Sequence, residues 1–528
     1  MQSIRMPAFP QVPSGNFVAM VGRLRFIRFG WHNAISCICF ALLLSATPGI
    51  VSAQEPAPQL PQKPDSTPAA TTPTPQVQPA SPPDPRQPGT GTQVRTGSQF
   101  GEINFLNRLS RLLADHQFSE LQSIVDSSGD TSSGDTSSNT AAARPANPLT
   151  PEQKQLYRGI LANRDNKPQE SIDLLEPLLA KLKSAEHPPE EKLLRKTLAE
   201  DYLRAGDYKQ ANQAYLEFEY KFGGSLTPEE RAEIELPVHL LPLVRDFPPM
   251  TVEPGDPFQL PYDRDALGLT DVPVFVDGQS HDWMLDPTAP FNLICRTTAK
   301  EIGLKISDES ATITALTGRR MRVQATIIPR FTIGTVTYRS MTAFVFDDAD
   351  YYFPKSNYQV RGVLGYPAVS ALGSLTISAT SDIQVQPGKK GEHLTTGARF
   401  YLDGDRVIAA LGKPGDERMF AVDAGGQQTY LTSRYFGEHS DEFANQKMQL
   451  LAVPGAQNQP PAPAYVAPSV TLDIGGTSVT THFTQVLTQP LGNAALDDIY
   501  GILGMDVLDE LKSYTFDYRT MRFTVRNQ

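Results

Sequence analysis

The C-terminal half of the chain repeats itself, and the repeat keeps register through five features. "WMLDPTAPFNLI" aligns with "FAVDAGGQQTYL", which sets Asp286 over Asp423, 137 residues apart. "TALTGRRMRV" aligns with "LAVPGAQNQP" and sets Gly318 over Gly455, again 137 apart. "RFTIGTVTY" and "TLDIGGTSV" set Ile333 over Ile474 at 141, and "RGVLGYPAV" and "YGILGMDVL" set Gly365 over Gly504 at 139. "LTIS" and "YTFD" each start ten residues past that glycine. The Pro-rich "QNQPPAPAYVAP" absorbs the drift of four residues. A duplicated run of short apolar segments broken by glycines folds as two similar β units.

Each unit carries one carboxylate on a turn after an apolar strand, followed by Leu293 and Ile294 in one unit and Tyr430 and Leu431 in the other. A pseudo-twofold axis between the units would bring Asp286 and Asp423 together. Two adjacent carboxylates cannot both ionise cheaply, so one pKa falls, the other rises, and the pair holds one proton. That is a general acid and a general base around one water, suited to amide hydrolysis.

With these residues in place, the region of about 260–528 resembles the aspartic peptidases, specifically bacterial retropepsin-like proteins with two lobes in one chain. "MLDPTAPFNLI" and "AVDAGGQQTYL" stand at the Asp-Thr/Ser-Gly sites, "TALTGRRMRV" at the flap, and "GVLG" and "GILG" at the segments that pack beneath the Asp loops. "RDALGLTDVPVFVDGQSHDWMLD" looks like the lead-in strands. The resemblance implies an all-β, two-lobed acid-protease fold with Asp286 and Asp423 catalytic. It sets Thr317, Gly318 and Gly425 at the substrate cleft, and Tyr351 and Tyr352 are expected along a peptide groove. No cofactor is implied.

This sequence departs from the family's pattern at both Asp loops. Pro287 stands where Thr is usual and offers neither hydroxyl nor N–H; Thr288 stands for the Gly, where its branched Cβ is a poor fit to an unusual φ/ψ. Ala424 replaces the second Thr, and Gly425 is retained. Each missing hydroxyl bond is worth roughly 1 kcal/mol, and misplacing a catalytic group by about an ångström costs on the order of a hundredfold in rate. Two readings follow. In one, the chain hydrolyses peptides or unfolded proteins. In the other, it is an inactive module that binds an extended peptide or protein partner. A third leaves the lobes structural and gives the function to the region upstream.

That upstream region divides into parts. Residues 1–53 read as a secretory signal: Arg23, Arg25 and Arg28 precede the apolar run Ala34 to Ala46, and small Val51 and Ala53 set cleavage before Gln54. Translation starts at Met1 or Met20. An exported, periplasmic or secreted protein is expected, with no stable membrane insertion. Residues 54–100, rich in the chain's 45 prolines, form a disordered linker. Residues 101–225 form a helical domain with a flexible loop at 127–147, and 226–270 are connector and lead-in strands. Lobe 1 spans 271–392 and lobe 2 spans 393–528.

In the helical domain Leu198, Ala199, Tyr202, Gly206, Tyr208, Ala211 and Tyr215 resemble the tetratricopeptide pattern, with Asn166 and Ser171 at the Gly206 and Ala211 positions of an earlier repeat. A plain helical-hairpin domain is the alternative. A docking or spacer role for a protein partner is expected of it.

A net charge of −11 argues against nucleic acid. Cys37 and Cys39 fall in the signal, so Cys295 is alone and reads as a small buried hydrophobe. The eight histidines show no metal spacing, and "VFDDADYY" lacks the Gly and terminal Glu of a calcium loop, so it reads as a solvated loop at the cleft edge. "LDIGGTSV" reads as a hairpin turn.

Overall fold

In a computed structural model, the structure describes residues 97–526 except 129–148, 182–187, 315–319, 379–381, 389–393, 424–427, 453–460, 492–496 and the single positions 277, 355, 405 and 414. The expected signal, the expected linker up to residue 96 and nearly all of the expected loop lie outside the described residues; residues 97–100, expected as linker, open a helix instead. Among the described residues no helix is long and apolar enough to cross a membrane.

Three helical hairpins open the described chain: α1 (Gly97–Ala114) with α2 (Phe118–Ser127), α3 (Pro151–Arg164) with α4 (Pro168–Lys181), and α5 (Pro188–Arg204) with α6 (Tyr208–Phe222). Their turns are alike to the atom. His116, Asn166 and Gly206 each take positive φ, at +55°, +55° and +77°. Each turn closes with the same bond, Gln117 N–H to Leu112 O, Lys167 to Ala162 and Asp207 to Tyr202, at 2.8, 2.9 and 2.9 Å. Five residues beyond each turn, Leu121, Ser171 and Ala211 are wholly buried where the paired helices meet.

The connector expected at 226–270 begins instead with a seventh helix, α7 (Pro228–Val244). Thr227 and Glu230 form a reciprocal capping box and Pro228 occupies the first turn, where its missing N–H is harmless. Pro237 and Pro242 look like breakers in the sequence, yet they sit inside the helix. Burial of Leu240, Leu241, Leu243 and Val244 outweighs their low propensity.

The rest is β-rich. Lobe 1 is built on a nine-stranded sheet, and a thirteen-stranded sheet runs through lobe 2. The second sheet does not stop at the expected boundary of 392/393. It continues into strands Ser374–Ser378, Asp382–Gln386 and Phe258–Pro261, because the duplicated strands pair with each other. Leu375 faces Phe516, Thr376 faces Thr515 and Ile377 faces Tyr514. Subtracting 139 from 516 and 514 returns 377 and 375, so the pairing is reciprocal, as a twofold axis demands. The axis runs between Thr376 and Thr515, whose hydroxyls lie 2.8 Å apart.

The duplication extends to irregularities. In the long hairpin of lobe 1, the register skips Pro329 opposite Ser340; in lobe 2 it skips Pro468 opposite Phe483. Proline cannot donate to the ladder, and the residue facing it sits at φ +53° in both cases. The turn in "LDIGGTSV" is a tight hairpin turn with Gly475 and Gly476 at positive φ.

Candidate active site

Asp286 follows strand Gln279–Leu285, and Asp423 follows strand Arg418–Val422. Both are pinned by the same bond: Asp286 N–H donates to Leu364 O at 3.0 Å, and Asp423 N–H to Leu503 O at 2.9 Å. Their acceptors belong to the apolar-apolar-glycine segments, whose strands run parallel to the Asp strands. Glycine is required there by space. A Cβ on Gly365 would lie 2.2 Å from Phe291 O, and one on Gly504 2.6 Å from the carbonyl carbon of Gln428.

The turn after Asp286 corrects one expectation. Thr288 is absent from the described residues of positive φ, so its branched side chain fits without strain. It also helps aim the carboxylate. Asp286 Oδ1 accepts from Thr288 N–H at 3.0 Å, Thr288 Oγ1–H at 2.7 Å and Ala289 N–H at 3.1 Å. The hydroxyl absent from position 287 is thus supplied one residue later, to the aspartate of its own loop.

Asp286 has no exposed surface, and Asp423 is 6 % exposed. Burial pushes the Asp286 carboxyl up, the Asp423 charge pushes it further, and the Thr288 and Ala289 donors pull it back. The balance stands at about 7. The two aspartates are therefore within electrostatic reach of one another.

Two supporting residues escape sequence reasoning. Asn292 Oδ1 accepts Gly365 N–H at 3.0 Å, and Thr429 Oγ1 accepts Gly504 N–H at 2.9 Å. Both lie six residues past their aspartate. That equal offset was the available signal, hidden because Asn and Thr share no obvious chemistry. Asn292 also donates to Thr342 O at 3.2 Å, while the Thr429 hydroxyl donates to Asp506 at 2.7 Å.

The expected cleft residues fare differently. Thr317, Gly318 and Gly425 lie outside the described residues. Tyr351 is 2 % exposed, with its ring 3.9 Å from that of Phe346, so it is core rather than groove wall. Tyr352 is half-buried and its hydroxyl donates to Asn357 at 2.8 Å.

The acidic loop around Asp348, expected as simply solvated, caps the short helix Arg296–Glu301. Asp348 accepts Thr297 N–H at 3.0 Å, and Asp347 pairs with Arg296 at 2.6 Å. Carboxylates suit a helix N-terminus, which is why this loop is acidic. Cys295 is buried and accepts from Thr298 N–H at 3.4 Å as the cap of the same helix.

Folding also gathers His116, Asp403 and Asp498, whose ligand atoms lie within 4.8 Å of one another. Arginines already serve this cluster. Arg164 meets Asp403 at 3.2 Å, and Arg406 meets Asp498 at 3.0 Å and Asp403 as well. With two guanidinium groups balancing two carboxylates, the cluster is an ion-pair network and a poor cation site.

Residues 272–368 match a family model described as aspartyl protease. The match takes in Asp286, the paired strands Ala311–Thr314 and Arg320–Ile333, and "GVLG". No curated protein matches the chain. The matched segment and the β-rich C-terminal region together define an aspartyl protease-like domain, preceded by a helical region.

Proposed function

We propose that the two lobes form an aspartic endopeptidase in which Asp286 and Asp423 share one proton. The observation that carries this reading is Asp286 itself: wholly buried, held by three donors, and raised to about 7 by burial and by the Asp423 charge. A carboxyl that stays protonated through acidic pH beside a second carboxylate is the pairing that amide hydrolysis needs. The ionised aspartate takes a proton from water as the oxygen attacks the carbonyl. The neutral one gives its proton to the carbonyl oxygen, and the departing nitrogen is then protonated from the pair. The substrate class is an extended peptide or unfolded protein, and the N-terminal signal-like segment supports export.

One observation favours binding without turnover: Pro287 and Ala424 have no hydroxyl to link the Asp loops across the axis. The test is unfolded casein incubated from pH 3 to 7 with wild type and Asp423→Asn, with products read by mass spectrometry. The expected outcome is cleavage by wild type and a loss of at least about a hundredfold in the variant. Equal rates would end the catalytic reading, and wild-type binding without cleavage would support the binding module.

A further inference from the structure

The strand leading to each aspartate alternates its faces. Trp283 and Leu285 join Ile294 and Leu364 in the central core, so Met284 shares the other face with Asp286. Lateral pairing extends that face: Met284 lies beside Val363, Val363 beside Leu293, and Leu293 beside Phe344. In lobe 2, Val422, Leu431 and Leu503 are core, and Ala421 shares the other face with Asp423. Its row runs from Tyr430 through Ile502 and Ala421 to Ile408 and Tyr401. An extended peptide approaching both carboxylates along the sheets would have to lie on these rows.

Both rows are already covered by the chain's own helices. The lobe 1 row is one apolar cluster with Phe218 of α6 and Leu240 and Leu241 of α7. Leu240 and Leu293 line the same cavity of about 10 Å³, together with Ile313 and Met321 of the flap hairpin, so helix and sheet are closely fitted. The lobe 2 row is one cluster with Phe118, Leu121, Leu156 and Ile160. The Phe118 and Tyr401 rings are 4.8 Å apart, and Ser119 and Tyr401 hydroxyls 3.2 Å apart.

Charge fastens this side. Asp403 meets His116 at 2.9 Å and Arg164 at 3.2 Å, Arg434 meets Asp115 at 2.7 Å, and Arg204 donates to Gly404 O at 2.7 Å.

We propose that the helical region is an intramolecular block on the aspartate-bearing faces, and that substrate reaches Asp286 and Asp423 only after these helices are displaced. The inference rests on the peptidase reading above for what is blocked, but the covering itself can be tested without activity. The reporter is Met284→Cys in a chain whose three native cysteines, Cys37, Cys39 and Cys295, are replaced by Ser, labelled with a small maleimide. Met284 is 2 % exposed, so labelling reports uncovering.

Two ways of loosening the helices are compared. One is the double variant Arg164→Glu with Leu240→Glu. The other keeps every native side chain and adds a specific protease site between Asp246 and Pro249, cut after folding. In the second, hydrogen exchange at Met284–Ala289 read by mass spectrometry gives a measure that needs no cysteine. Labelling and exchange are expected to rise roughly tenfold or more on loosening, with casein binding or cleavage rising in parallel.

Rapid labelling of the untouched chain, or labelling that does not respond to either loosening, overturns the block. Labelling that rises while casein remains uncut keeps the block and removes the endopeptidase reading.

Discussion

Lobe 1 and lobe 2 keep the same backbone solution and fill it with different side chains. In both, the aspartate N–H is held by the leucine before a glycine, and that glycine N–H is held by the residue six positions after the aspartate. In lobe 1 that residue is Asn292, which spends its second group on Thr342. In lobe 2 it is Thr429, steadied by Asp506, at the position equivalent to Pro367. The covers differ as well: lobe 1 is gripped by α7 leucines, lobe 2 by apolar helix residues together with the ion pairs of Asp403 with His116 and Arg164. The difference teaches which features a duplicated lobe cannot vary. Buried N–H groups must be paired and close approaches must stay open, but the chemistry of the partner is free.

The largest effect is expected where both lobes leave no room. Gly365→Ala and Gly504→Ala would each drive a Cβ into backbone atoms. Each should destabilise by on the order of 4 kcal/mol or prevent folding, measured by urea unfolding. Tolerance in one lobe alone would show that the two Asp loops are not equivalently built.

The next pair separates the lobes by pH. Burial alone would raise Asp403, but Arg164, Arg406 and His116 hold its carboxyl well below the usual carboxylate range. Its contribution is present above its unfolded pKa of about 4 and is lost as pH falls through the folded value. Asp403→Asn leaves the buried Arg164 and the half-buried Arg406 guanidinium groups short of a partner. It should cost roughly 3 kcal/mol at pH 7, a cost that shrinks in acid as the wild type loses the same contribution.

Asp286 runs the other way. Raised to about 7, it contributes stability in acid that is lost as pH climbs from its unfolded value, about 4, toward 7. Asp286→Asn should therefore match wild type near pH 4 and exceed it at pH 8 by on the order of 4 kcal/mol. Thermal melts across pH 3–8 check both signs, and parallel profiles for the two variants would refute the contrast.

The contrast also marks what the sequence could tell. The duplication was legible because it repeats residue types whose roles are steric: Asp286 over Asp423, Gly365 over Gly504, "LTIS" over "YTFD". The turn residues Asn166 and Gly206 were legible for the same reason, since positive φ admits few side chains. Long-range partners were not. Nothing near Leu240 in sequence says that it will meet Leu293, and nothing near His116 says that it will meet Asp403. Helix α7 was obscured by Pro237 and Pro242, whose local cost is outweighed only by packing elsewhere. Thr288 fits because its backbone stays out of the positive-φ region, which residue type alone does not show, and leaves the hydroxyl free to bond Asp286.

The smallest expected effect bears directly on the axis. Thr376 and Thr515 are one residue seen twice, paired across the axis at 2.8 Å. One hydroxyl must donate and the other accept, so the symmetry is broken at the hydrogen. Thr376→Val or Thr515→Val each removes one partner and should cost about 1 kcal/mol. The double variant removes both, leaving two methyl groups packed where two hydroxyls had been. Its cost should fall short of the sum by roughly 0.5–1 kcal/mol in a double-mutant cycle. Strict additivity would mean that the two hydroxyls do not bond in solution, and the two lobes would then be joined at the axis by backbone pairing alone.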